Sequence, residues 1–342
     1  MSPSVITRTR ILKVCALLLG VLLVLALVAL WTGPTKIPFG QLARALAGST
    51  TALSDIQWDI VRKVRWPRIV LAMLVGAALG VAGAAYQALL RNPLADPYVL
   101  GVSSGAALGA ILSLSFAERV AVTTPVAAFV GAAATIAFVY FLGRRGGQLA
   151  PYTLLLAGII TASFLSALII FLMNFLSGRD LRGAAYWLMG DLSNASSAFP
   201  LGLWWLFALI LLTIGVVYVV AGNLNLLLGG EPEAAQLGVN IRRTKLVVYL
   251  AASLATALAV SVSGAIGYVG LLVPHLVRLL FGSDYRLLIP ATALTGAVVL
   301  LVADTLARTL GELPVGAVTA VVGAPVFIYL LRRGVGTGGG WQ

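Results

Sequence analysis

The stretch IVLAMLVGAALGVAGAAYQALL, residues 69–90, decides the class of fold because no charged residue interrupts it. At 1.5 Å per residue, a helix of this length matches the hydrocarbon core of a bilayer, which is about 30 Å thick. Its glycines, Gly76, Gly80 and Gly83, lie three or four residues apart. That spacing places them on one helix face, where small residues allow a neighbouring helix to approach closely. The stretch therefore predicts a membrane-spanning helix that packs tightly against others.

Similar apolar runs recur along the chain, which is 60% hydrophobic and 10% charged and has a mean hydropathy of +1.03. The further charge-free runs are Val14–Trp31, Val99–Phe116, Val126–Leu142, Thr153–Leu176, Leu201–Ala221, Leu246–Val262, Leu287–Leu301 and Val315–Leu331. Gly264–Phe281 is another candidate, although Pro274, His275 and Arg278 interrupt it. This composition is typical of an all-α polytopic membrane protein with about ten transmembrane helices. We expect one domain over residues 1–342, with a membrane region at 14–331.

The net charge of +12 lies mostly in the connecting segments and predicts an orientation. With the N-terminus inside, a modest majority of the 23 basic residues falls in cytoplasmic segments, as the positive-inside rule requires. The exceptions cluster in or beside the first outside loop, between Lys36 and Arg68. We therefore expect both termini in the cytoplasm. Because basic residues are spread over both membrane faces, nucleic-acid binding is not expected.

No residue pattern in the chain predicts catalysis, a cofactor or a metal site. A phosphate-binding loop needs a lysine after a glycine, and none of the four lysines has one. Cys15 and His275 are the only cysteine and histidine, which is a poor set of metal ligands. Asp304 and Arg308 are four residues apart and could pair on one helix face. If transport is active, another subunit must supply the energy.

A polar segment, EPEAAQLGVNIRRTK at residues 231–245, separates two apolar runs. Pro232 suits the first turn of a short helix, and Gly238 suits its end. A helix of about six residues is unstable alone in water, so we expect it to pack against something, with Ala234 and Leu237 on one face. On the predicted topology, residues 222–245 form a cytoplasmic loop on which a soluble motor could push. An ordinary capped loop helix is the alternative.

Several long segments resemble the FecCD family, the membrane permeases of binding-protein-dependent ABC importers for ferric siderophores, haem and cobalamin. They are RNPLADPYVLGVSSGAALGA (91–110), GAIGYVGLLVPHLVRLLFGSDYRLLIP (264–290), LVADTLART (301–309) and ELPVGAVTAVVGAPVFIYLLRR (312–333). DLRGAAYWLMG (180–190) is similar to the segment after the fifth span of these permeases. The resemblance covers nearly the whole chain, from about Trp66 to Arg333.

The resemblance implies type II ABC importer permease architecture, with ten spans per subunit and a homodimer around the translocation path. The implied partners are a second copy of the chain, two ATP-binding cassette subunits underneath and an extracytoplasmic substrate-binding protein. The implied location is the bacterial cytoplasmic (inner) membrane. The chain itself would then be a permease and not an enzyme, since a separate subunit would hydrolyse ATP.

The resemblance also implies roles for individual residues. The segment similar to the family's cytoplasmic coupling helix contains Glu231, Glu233, Ala234, Ala235, Leu237 and Gly238. The positions that match outer-surface arginines contacting the binding protein are Arg65, Arg68 and Arg308, for which interfacial anchoring is the alternative. By analogy the fifth and tenth spans line the path, and Tyr152, Thr153 and Asn174 are its candidate residues.

The substrate is left open among three chelates. A ferric siderophore is the first expectation, cobalamin the second and haem the third. The alternative of another class is an ion-coupled secondary carrier that uses Asp304 or Asp191 as its coupling site. A receptor or scaffold without transport is a further alternative, and it would tolerate loss of residues 234–238.

Overall fold

The computed structural model describes residues 7–49, 51–115, 123–145, 148–193 and 202–336, and in these ranges the chain is almost entirely helical. The helices of the first half are α1 Arg8–Trp31, α2 Phe39–Leu46, α3 Asp55–Asp59, α4 Trp66–Leu89, α5 Val102–Ser115, α6 Thr124–Gly143 and α7 Pro151–Met173. Those of the second half are α8 Gly178–Leu188, α9 Leu203–Val219, α10 Ala221–Gly229, α11 Glu231–Gln236, α12 Ile241–Ser263, α13 Val269–Phe281, α14 Tyr285–Thr309 and α15 Val315–Gly336.

Four short elements complete the described part of the chain. A π-helix at Ile60–Arg65 joins α3 to α4, and a 3-10 helix at Pro97–Leu100 precedes α5. Strands β1 Arg144–Arg145 and β2 Gln148–Leu149 pair antiparallel after α6.

The predicted all-helical membrane fold is confirmed, and each predicted apolar run coincides with a helix. Within the described ranges, six helical segments are long and apolar enough to cross a bilayer, and α9 with α10 forms a seventh that bends by 46°. The remaining three, α5, α13 and α15, are shorter apolar helices. The ends of two predicted runs, Phe116 and Leu201, lie outside the described residues.

The core is built around α4, the helix that the opening stretch predicts. Glycines let the backbones of α4 and α14 touch: a Cβ added at Gly76 would lie 2.2 Å from the carbonyl oxygen of Gly296. At Gly83 an added Cβ would lie 1.9 Å from the carbonyl oxygen of Gly270 on α13. Such contacts are too close for any side chain, so the predicted packing role of this glycine face is confirmed.

A second glycine contact joins α5 to α6. A Cβ at Gly105 would lie 2.6 Å from the carbonyl oxygen of Gly131, and one at Gly131 would lie 2.2 Å from that of Gly105. By contrast, α1 lies at the periphery, where Leu17, Leu23 and Val24 are exposed. An apolar helix with one exposed side is expected where lipid replaces protein as the neighbour.

Candidate functional site

The polar segment folds as predicted into a short helix, α11. Pro232 lies in its first turn, and Gly238 follows it with φ +85°, a left-handed conformation that glycine adopts without strain. The side chain of Ala234 is fully buried. The backbone N–H of Val239 donates to the carbonyl of Ala234 at 3.0 Å, which closes the segment.

Two details of this segment differ from the sequence-based expectation. Ala234 and Leu237 do not share a buried face: α11 ends at Gln236, so Leu237 turns outward and is 68% exposed. Glu233, Ala235 and Gly238 are exposed as well. In addition, residues 222–245 are mostly helical, since they comprise most of α10, all of α11 and the first turn of α12.

Ion pairs fix α11 to the membrane helices. The Nζ of Lys245 on α12 donates to Oε1 of Glu231 at 2.8 Å, and the Lys245 side chain is only 8% exposed. Arg91, just after α4, lies 3.6 Å from the same oxygen through Nη2 and donates to the carbonyl of Leu227 at 3.2 Å. A displacement of α11 would therefore be transmitted to the ends of α4 and α12.

Sequence reasoning did not assign Arg91 and Lys245 to this site. Arg91 is 136 residues from Leu227 in the chain, and no local pattern links them. Lys245 was visible as part of the basic cluster after α11. Its position at the start of an otherwise apolar run is the signal that could have identified it, because a lysine there needs an anionic partner once it is buried.

The three predicted docking arginines come together at the ends of α1, α4 and α14, and all are buried. Arg68 Nε donates to Oδ1 of Asp304 at 2.8 Å, and Arg308 Nε lies 3.1 Å from Oδ2 of the same carboxylate. Asp304 is completely buried. The predicted pairing of Asp304 with Arg308 is thus confirmed, and Arg68 joins it.

Arg65 binds backbone instead of a carboxylate. Its Nη1 donates to the carbonyls of Leu30 at 2.7 Å and Trp31 at 2.8 Å, and its Nη2 donates to that of Thr35. These carbonyls lie at and just after the C-terminal end of α1, where a cation is favoured by the helix dipole. The arginine cluster, Arg65, Arg68, Asp304 and Arg308, therefore holds three helices together inside the chain.

The predicted path residues lie along α7 and do not meet. Tyr152 is in the first turn and is 79% exposed, with Thr153 half-buried beside it. Asn174 caps the other end, where its amide donates to the carbonyl of Ile170 at 2.8 Å. Between these ends α7 leaves large apolar side chains such as Phe164 exposed. This face of α7 is free to contact lipid, another subunit or a passage.

These features define a class: a polytopic helical membrane permease with a short helix clamped between two spans. The chain belongs to the FecCD transport family, which it matches over residues 21–333. The predicted family is confirmed. It is a transport permease of the same type as relatives that are named for the import of cobalamin, haemin and Fe(3+)-citrate.

Similar proteins carry several substrate names. The chain is 45% identical to the cobalamin import permease of Halobacterium salinarum, over 80% of this chain and 73% of the relative. It is 42% identical to the haemin transport permease of Yersinia pestis, over 93% of this chain and 96% of the relative. A metal-chelate type ABC transporter, solved in an inward-facing conformation, superposes with a TM-score of 0.79 at 31% identity, covering 94% of this chain and 99% of that one.

Proposed function

We propose that this chain is the permease subunit of a binding-protein-dependent importer that moves a metal chelate inward by ATP-driven alternating access. The observation that carries the proposal is the clamped helix α11. This short helix has buried Ala234, an ion pair to α12 and exposed Leu237 directly after its end, so a force applied at its exposed side would be transmitted to α12. Two ATP-binding cassette subunits would contact this face, and the chain would pair with a second copy of itself. The complex would lie in the inner membrane, with both termini of this chain in the cytoplasm.

The substrate of first choice is a ferric siderophore, and cobalamin is the second candidate. Similarity to the Fe(3+)-citrate permease of Bacillus subtilis supports an iron chelate, and the 45% identity to the cobalamin permease of Halobacterium salinarum supports cobalamin. A bulky chelate suits a passage whose apolar side chains bind it weakly, since the binding protein supplies the affinity and release must be easy. Family membership supports ABC import over a secondary carrier. Asp304, suggested for the carrier, already neutralises two arginines.

The substrate-binding protein would dock at the end of the chain that holds the arginine cluster. Because Arg65, Arg68 and Arg308 are engaged inside the chain, carboxylates of that protein would have to replace their present acceptors. The path itself would run between two copies, along the exposed face of α7 and along α15. Tyr152, Thr153 and Asn174 are the proposed polar contacts on α7.

The substrate is tested by uptake in a strain that lacks the gene, restored with the wild-type gene. The panel contains ferric siderophores, haem and cobalamin. Cells are depleted of ATP in one arm and treated in the other with an uncoupler that spares ATP. We expect gene-dependent uptake of one chelate that is lost on ATP depletion. Uptake that survives ATP depletion and stops with the uncoupler would overturn the proposal.

The coupling role is tested by replacing residues 234–238 with a flexible linker of equal length. We expect uptake to fall to background while the protein still inserts and still forms its dimer. The control places a flexible linker of three residues at 47–49, in the segment that follows α2. A transporter that keeps full uptake without residues 234–238 would exclude the coupling role.

A further inference from the structure

A groove of about 1030 Å³ lies between α9 and the first turns of α12. Its apolar wall is formed by one side of α9, from Ala208 to Val220, which is about 18 Å long at 1.5 Å per residue. Val220 and Asn223, at and just after the 46° bend between α9 and α10, also line the groove. The volume is at the upper end of small-molecule pockets, so the groove is large enough for an extended apolar chain.

The groove is open at the outer surface of α9, a helix of the bent pair that is long and apolar enough to cross a bilayer. Leu212 and Val219, which line it, are 59% and 83% exposed. Gly215 also lines the groove, and a Cβ placed there would meet no atom within 4 Å. The wall is therefore apolar and exposed, and the space in front of Gly215 is not filled by any other side chain of the described residues.

The end of the groove next to α11 is polar and basic. Arg243 lines this rim, and within the described residues no side chain pairs with its exposed guanidinium. Asn240 and Asn223 lie beside it, and the Asn223 amide donates to the hydroxyl of Thr244 at 3.2 Å. No carboxylate lines the groove, and the nearby Glu231 is held by Lys245.

We propose that this groove binds one anionic phospholipid, with an acyl chain along α9 and the headgroup phosphate at Arg243. The apolar wall of the groove matches the acyl chain of such a lipid, and its cationic rim matches the phosphate. A soluble anion would use only the rim. Basic pockets between membrane helices at the headgroup level bind anionic lipids for this reason. Since the rim adjoins α11, the bound lipid would lie beside the segment that moves during transport.

The test uses the full-length permease in detergent and native mass spectrometry with added phosphatidylglycerol, phosphatidylcholine or glycerol phosphate. We expect one phosphatidylglycerol to be retained in preference to phosphatidylcholine, and glycerol phosphate not to compete. Arg243→Gln should weaken phosphatidylglycerol binding about five-fold, the effect of one basic residue at an anionic surface. Arg242→Gln, the exposed neighbour that does not line the groove, should change little.

A second pair of variants tests the apolar wall without changing charge. Gly215→Phe should fill the groove and reduce binding of both lipids. Gly20→Phe, on the exposed surface of α1 where an added Cβ also meets no atom, should leave binding unchanged. Equal losses in Arg243→Gln and Arg242→Gln, or equal retention of phosphatidylglycerol and phosphatidylcholine by the wild type, would overturn the proposal. So would the absence of any retained lipid, because another subunit would then be the occupant.

Discussion

Replacing Asp304 by asparagine removes the carboxylate that pairs with both Arg68 and Arg308 in the buried arginine cluster. Asp304 is fully buried, and its two partners Arg68 and Arg308 have side chains that are 9% and 5% exposed. The substitution keeps the size of the side chain but leaves two guanidinium charges without an anion. Breaking a buried pair in this way costs about 3–5 kcal/mol, since the remaining charge has lost its water and its partner.

The chain contains a matched control for this change. Asp59 and Lys63 form an ion pair with the same four-residue spacing and a comparable distance of 2.9 Å, but their side chains are 62% and 71% exposed. An exposed pair of this kind contributes at most about 0.5 kcal/mol. Asp59→Asn should therefore have almost no effect, although the geometry of the pair is similar.

The assay is thermal unfolding of the purified full-length chain in detergent. At about 2.1 cal/mol/K of unfolding entropy per residue, a loss of 3–5 kcal/mol lowers the melting temperature of a chain of this size by about 4–7 °C. We expect that shift for Asp304→Asn and less than about 1 °C for Asp59→Asn. Equal melting temperatures of the wild type and Asp304→Asn would refute the argument from burial. A shift in Asp59→Asn as large as that in Asp304→Asn would refute it as well.

Three further predictions follow from other parts of the structure. Gly76→Ala places a Cβ 2.2 Å from a backbone oxygen of α14 and should destabilise the protein by about 1–3 kcal/mol in the same melting assay. Gly20→Ala, where an added Cβ meets no atom, should be neutral or stabilising by up to about 1 kcal/mol. Similar shifts in the melting temperatures of the two variants would contradict the packing argument. Burial raises the pKa of Asp96, which lies between α4 and α5, to about 6, so its contribution to stability is complete below pH 3.8 and is lost as the pH rises through 6. The melting temperature of Asp96→Asn should accordingly rise relative to wild type between pH 4 and pH 7, and a difference independent of pH would exclude this effect. Lys245→Met leaves Glu231 without its 2.8 Å partner, so the rate of ATP-driven uptake should fall while the melting temperature changes little. Unchanged uptake would show that the pair does not position α11.

The buried charges at the two ends of the molecule are arranged differently, and the difference matters for function. In the arginine cluster, three cations share one carboxylate and the carbonyls of α1, so these side chains hold α1, α4 and α14 in place. At α11, one carboxylate receives Lys245 and faces Arg91, and Glu231 keeps 31% of its side chain exposed. The second site is therefore easier to open, which fits the proposed role of α11 in coupling.

Much of the fold could be predicted from the sequence because membrane helices are specified locally. Each needs an apolar run of sufficient length, and the backbone hydrogen bonds close within the run itself. The run at 69–90 thus predicts α4, and the spacing of its glycines predicts the face that packs. The segment at 231–238 predicts α11 for a similar reason, since Pro232 and Gly238 mark its two ends within a few residues.

The partners of the charged residues could not be predicted in this way, because contacts between helices join positions far apart in the chain. Arg68 and Asp304 are 236 residues apart, and Arg91 reaches a carbonyl 136 residues away. A charge pattern shows that a buried cation needs an anion, but only the packing of α1, α4 and α14 determines which one it meets. The sequence by itself therefore determined the membrane class, the helices and the polar segment between α10 and α12. The tertiary structure alone decided that the three arginines are held inside the chain and that α11 is clamped to α12.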